Sequence, residues 1–99
     1  MTTKKADEEI IRAFAETQDP QLREEAILSF LPLVYYVIGR LGFVANNEMD
    51  QDDLASQGVL GLIEAVDNYQ LKYGTKFSTY AVPRIRGKIL DYLDRKSVV

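Results

Sequence analysis

Residues 50–69 read DQDDLASQGVLGLIEAVDNY, and the reading of this stretch decides the fold. Leu54, Val59, Leu62, Ile63 and Val66 recur at helical spacing, which predicts a helix from Asp50 to about Tyr69. Its opening acids, Asp50, Asp52 and Asp53, stand where a helix N-terminus favours negative charge. A metal site is the rival reading, but the glycine and the distant glutamate of a calcium loop are missing, so helix capping is preferred. Gly58 and Gly61 lie inside the helix, each costing about 1 kcal/mol against alanine. Close approach of a second helix is the physical reason to keep them there.

A further helix follows a turn at residues 70–75, which contains Gly74. From Ser78 toward Arg95, the residues Phe77, Ala81, Ile85, Ile89 and Leu93 recur every four positions and predict a buried stripe. Lys76, Tyr80, Arg84 and Lys88 repeat with the same spacing one position earlier, roughly 100° around the helix and toward solvent. Pro83 predicts a bend in this helix. Upstream, Ile10, Ile11, Phe14 and Ala15 make a short apolar stripe from Asp7 to Thr17, with Asp7, Glu8 and Glu9 placed in its first turn. Asp19 reads as an N-cap with Pro20 at the first helical position. The segment it opens runs to about Leu41, with Leu22, Ala26, Phe30, Leu33, Val34, Val37 and Ile38 at core spacing. Pro32 should kink it and Gly42 should end it, before a polar loop at residues 45–49. No strand pattern appears, so the expected fold is all-α, a compact bundle of about four helices.

At 99 residues and 11.2 kDa, the chain fits one small domain with a marginal core. It has no Cys and no His, which removes disulfides, thiolate ligands and the commonest acid–base group. No nucleophile–base pair or phosphate loop is present, so neither catalysis nor a cofactor or metal is expected. The opening MTTKKADEE lacks the apolar core of a signal peptide, and no apolar run approaches the roughly 20 residues of a membrane span. A cytoplasmic, non-membrane protein is expected.

Charge is unevenly spread. Residues 1–69 hold 5 Lys+Arg against 13 Asp+Glu, and residues 70–99 hold 7 against 2, so nets of −8 and +5 give the overall −3. Two surfaces with different partners are the functional reading, and two ordinary solvated faces the bland one. The run Lys72-Tyr73-Gly74-Thr75-Lys76-Phe77-Ser78-Thr79-Tyr80 interleaves cations with aromatics, which suits single-stranded nucleic acid. The alternative makes its rings core residues. The stripe favours that alternative for Phe77, and for Tyr80 the two readings are balanced.

Together these motifs resemble region 2 of the bacterial sigma-70 family. Residues 52–69 are similar to region 2.2. Gly74 to Ala81, followed by Pro83-Arg84-Ile85-Arg86-Gly87, resembles region 2.3 running into 2.4. Leu31-Pro32-Leu33-Val34 through Arg40-Leu41 looks like region 2.1, and Asp19-Pro20 with Leu22-Arg23-Glu24-Glu25 is similar to the lead-in of the motility group. The implied domain is single over 1–99, with a lead-in helix at 7–18, region 2.1 at 19–43, region 2.2 at 50–70 and regions 2.3 and 2.4 at 72–96.

The resemblance implies docking on the clamp coiled coil of the polymerase β′ subunit through Leu31, Val34, Asp53, Ser56, Gln57, Val59 and Ile63. It also implies capture of the non-template strand of the promoter −10 element by Lys72, Thr75, Lys76, Phe77, Thr79, Tyr80, Arg84 and Arg86, to which the basic row adds Lys88. An anti-sigma factor is a further candidate partner. Pro83 and Arg84 stand where housekeeping members carry paired tryptophans, and the Pro-Arg-Ile-Arg-Gly form is that of the motility-like group. Thr75 stands where housekeeping members carry an aromatic, which argues against direct stacking there. The chain is expected to stop inside region 2.4, without the regions that read a −35 element. The alternative function is a truncated sigma-like regulator that occupies the clamp, or an anti-sigma factor, without opening DNA.

Overall fold

Helix formation follows the apolar periodicity closely. The structure, a computed structural model, describes residues 4–41 and 48–97. Five α-helices run in order: α1 (Lys4–Thr17), α2 (Pro20–Ser29), α3 (Leu31–Arg40), α4 (Glu48–Asn68) and α5 (Phe77–Ser97), with a 3-10 turn at Leu71–Tyr73 between the last two. No strand occurs among the described residues. The predicted terminator Gly42 and residues 45–47 of the predicted loop lie outside them, whereas Glu48 and Met49 already belong to α4.

Asp19 caps α2 as its sequence predicts: its backbone is extended and its Oδ1 accepts from the Gln21 N–H at 2.9 Å. The single predicted segment after it divides in two. The break falls at Phe30, whose φ of −100° and ψ of 6° leave the helix. Pro32 has no N–H to offer the Leu28 carbonyl, and its ring crowds that carbonyl, so the chain resets before the proline instead of kinking at it. Pro32 then sits in the first turn of α3, where a missing donor costs nothing. Pro83, by contrast, lies within the uninterrupted α5.

α4 and α5 form the central pair, α3 packs against both, and α2 packs on α4 and on α1, which also meets the 3-10 turn. The predicted stripe of α5 is the core: Phe77, Ala81, Ile85 and Ile89 are fully buried, with Leu93 packed at its margin. Gly61 is where the two central helices press together. A β-carbon there would lie 2.8 Å from the Arg84 carbonyl oxygen and 2.8 Å from Ile85 Cα. Close approach is therefore the reason for this glycine. At Gly58 the corresponding neighbour is the Val34 side chain of α3.

Two polar contacts tie distant elements together. Glu8 and Glu9 fall outside the first turn of α1, because the helix begins at Lys4. Glu8 instead accepts from the Phe77 N–H at 3.1 Å, satisfying one of the orphan donors at the start of α5. Arg23 of α2 forms a forked pair with Asp67 of α4 at 2.6 and 3.0 Å. The hydrogen bond from Arg23 holds the Asp67 carboxyl below its ordinary value of 3.8, against a smaller opposing effect of burial. A lowered folded pKa means that Asp67 contributes stability above the unfolded value and loses it as pH falls through the folded one. The stability gap between wild type and Asp67→Asn is thus expected to be constant at neutral pH and to shrink below about pH 4. Thermal melts of both proteins across an acid series, at low salt because the pair is partly exposed, check this.

Candidate nucleic-acid interface

The basic–aromatic run folds into a turn and the start of a helix, and its aromatic residues pack in a graded series from core to surface. Phe77 is fully buried, 4.7 Å from Phe30 and 5.4 Å from Tyr69 between ring centroids. Tyr69, also buried, donates its hydroxyl to the Thr75 carbonyl and so ties the turn back to the core. Burial, with the nearby Glu8 carboxylate, raises the pKa of that hydroxyl and keeps it a donor. Gly74 closes the turn at a φ of 71°, a left-handed conformation that favours glycine.

Outside this anchor, the rings reach solvent. Tyr80 is half-buried, Tyr73 is exposed, and the two stack with centroids 5.3 Å apart and planes 22° from parallel. The Arg84 guanidinium lies 3.7 Å from the Tyr80 ring centre and donates to the Tyr80 carbonyl at 2.9 Å. Lys72, Thr75 and Lys76 are exposed beside the turn. The turn and the first flank of α5 therefore carry exposed cations and a hydroxyl within a few residues of the stacked Tyr73, Tyr80 and Arg84.

Several site residues expected from sequence stand elsewhere. Phe77 cannot stack on a base because its ring is wholly inside the core. The stripe reading of that residue is the correct one, and its place in the strand-binding set is corrected. Thr79 and Arg86 are exposed, but Arg86 is two residues beyond Arg84, roughly 200° around α5, and Thr79 shares its side. They do not join the row. Lys88 is half-buried and paired with Glu64 of α4 at 2.7 Å, so its charge is already engaged. Tyr73 is missing from the expected set although it stands in the cation–aromatic run, because that set follows the family resemblance, which does not mark that position.

On α4, Ser56 is exposed while Gln57, Val59 and Ile63 are half-buried, and together they make a mixed polar and apolar face. Leu60 belongs with them. It is 50% exposed, four residues after Ser56 and three before Ile63, and its position off the apolar stripe is the signal that marks it. Asp53 is half-buried and accepts from the Tyr92 hydroxyl at 2.9 Å. Leu31 is half-buried. Val34 is fully buried against α4, so its side chain cannot reach a partner, and its place on the docking face is corrected. The outward rings of α3 are Tyr35 and Tyr36.

None of the helices among the described residues is long and apolar enough to cross a membrane. The family model for sigma-70 region 2 matches residues 26–98, which leaves out α1 and the larger part of α2. The chain is 34% identical over 90 residues to the RNA polymerase sigma-D factor of Bacillus subtilis, spanning 91% of this chain and 35% of that protein. It is 41% identical over 90 residues to a putative RNA polymerase sigma-G factor of Bacillus thuringiensis, covering 88% of this chain and 69% of that one. Against the RNA polymerase sigma factor FliA of Escherichia coli, identity is 44% over 64 residues, which is 65% of this chain and 27% of the relative. The chain spans about a third of the length of the sigma-D and sigma-G factors of Bacillus subtilis. The family model covers most of the chain and these relatives align along it, so this chain belongs to the sigma-70 region 2 family.

Proposed function

We propose that this chain is the promoter-engaging domain of a sigma factor, a non-enzymatic unit that joins core RNA polymerase to DNA in transcription initiation. It would work wherever the polymerase does, in the bacterial cytoplasm. The observation that carries the reading is the exposed surface formed by Lys72, Tyr73, Lys76, half-buried Tyr80 and Arg84, which supplies both charge and ring area to an unpaired strand. The non-template strand of the −10 element is the proposed ligand, with Thr75 beside it. The α4 face of Ser56, Gln57, Val59, Leu60 and Ile63, bordered by Leu31 and Asp53, is the proposed seat for the β′ clamp coiled coil. An anti-sigma factor would compete for either surface.

Salt dependence tests the strand reading. Three cations meeting phosphates, Lys72, Lys76 and Arg84, imply a slope near −2 in log K against log salt, from about −0.7 per phosphate on a single strand. Binding of a labelled −10-like single strand to this chain with core polymerase should therefore weaken steeply with salt. Arg84→Glu should lower both affinity and slope. Lys88→Ala should change the slope little, because Lys88 is held by Glu64. Equal slopes for wild type and Arg84→Glu would reduce the row to a solvated face and favour a clamp-binding regulator that does not open DNA.

A further inference from the structure

We propose that Tyr73, in the turn before α5, is the ring on which an unpaired nucleobase stacks, with Tyr80 serving as its backing. Tyr80 is the natural candidate from the helix row, but its own ring is crowded. It meets Arg84 at 3.7 Å, Tyr73 at 5.3 Å and Tyr69 at 5.5 Å, and it is only half exposed. Tyr73 is 43% exposed and is the outermost ring of the series. Its inner face lies on Tyr80 and its edge faces Tyr69 at 6.4 Å and 69°, an arrangement that holds the ring in one orientation.

A ring fixed from behind and open in front loses little freedom when a base settles on it, which is the condition for efficient stacking. Charge is supplied on both sides in sequence. Lys72 immediately precedes Tyr73 and Lys76 follows it by three residues, both exposed, so the backbone of a strand whose base lies on Tyr73 meets cations at either hand. The 3-10 turn and the left-handed Gly74 give this orientation its cause. They turn the chain back after Tyr69, so that residue 73 lies over residue 80 although no helix joins them. The ligand is an unpaired base within a single strand, read by its π-face and therefore with little sequence preference at this point.

The assignment rests on the strand-binding reading above, and the test separates the two. The 99-residue chain, with bacterial core RNA polymerase, is titrated against a short fluorescein-labelled oligodeoxyadenylate carrying one 5-bromodeoxyuridine. Tyr73→Ala and Tyr73→Leu should bind roughly 5- to 150-fold more weakly than wild type, with an unchanged salt slope, because stacking releases no counterions. Tyr73→Phe should bind nearly as wild type does. Irradiation of the complex should crosslink the bromouridine to Tyr73, located by mass spectrometry of the peptides. Melting curves of each variant establish that an exposed substitution leaves the fold intact.

If wild type binds but Tyr73→Ala binds equally or more tightly, Tyr73 is a bystander or a cover over Tyr80 and the assignment is wrong, while the strand reading stands. A crosslink on Tyr80 alone has the same meaning. No binding by wild type, with or without core polymerase, overturns both.

Discussion

Phe77→Ala is expected to cost about 3–5 kcal/mol of stability, the range for emptying a buried phenylalanine site. Phe77 is fully buried, packs on Phe30 and Tyr69, and carries the backbone N–H that Glu8 caps. For a domain of this size the total is about 5–15 kcal/mol, so such a loss removes a large part of it. Strand binding would vanish with the fold, which alone would not distinguish a core ring from a stacking ring. Phe77→Leu makes the distinction. It retains most of the apolar volume and should cost about 1–2 kcal/mol, leaving a folded protein at room temperature. That variant should bind single-stranded DNA as wild type does. A normally folded Phe77→Leu protein with weakened strand binding would mean that the ring reaches the base.

Gly61→Ala is expected to destabilise by about 2 kcal/mol, although alanine is the better helix former. Helix propensity favours the change by about 1 kcal/mol. Against it stands a β-carbon placed 2.8 Å from the Arg84 carbonyl oxygen and from Ile85 Cα. Backbone atoms cannot rotate away, so α4 and α5 must separate along their shared core, and overpacking of this kind costs about 3 kcal/mol. Gly87 supplies the control. It lies in the interior of α5 with nothing within 4 Å of a β-carbon, so Gly87→Ala should gain about 0.5–1 kcal/mol. Urea denaturation of the two variants should therefore move the midpoints in opposite directions. A stabilised Gly61→Ala protein would refute the close contact between the central helices.

Core packing and propensity account for how much could be read without coordinates. The periodicity shows α1, α4 and α5 as separate helices but runs α2 and α3 together, the Asp19-Pro20 start of α2 is legible as a cap, and the paired glycines of α4 announce a close neighbour. The stripe of α5 also identifies Phe77 as core, where family resemblance alone marks it as strand-binding. Resemblance transfers a position and not its exposure, which is why Val34 and Phe77 both needed correction.

Local sequence determines which residues prefer a helix and which face of it is apolar, because both depend on neighbours within a turn or two. Tertiary structure decides what lies opposite. The Glu8 cap on α5 joins groups 69 residues apart, the Glu64 partner of Lys88 comes from the adjoining helix, and Tyr73 meets Tyr80 only because a 3-10 turn folds back on α5. Each of these depends on the rotation and approach of whole elements. Those are set by the joint packing of Phe30, Val34, Gly58, Gly61 and Ile85, and no helical period encodes them.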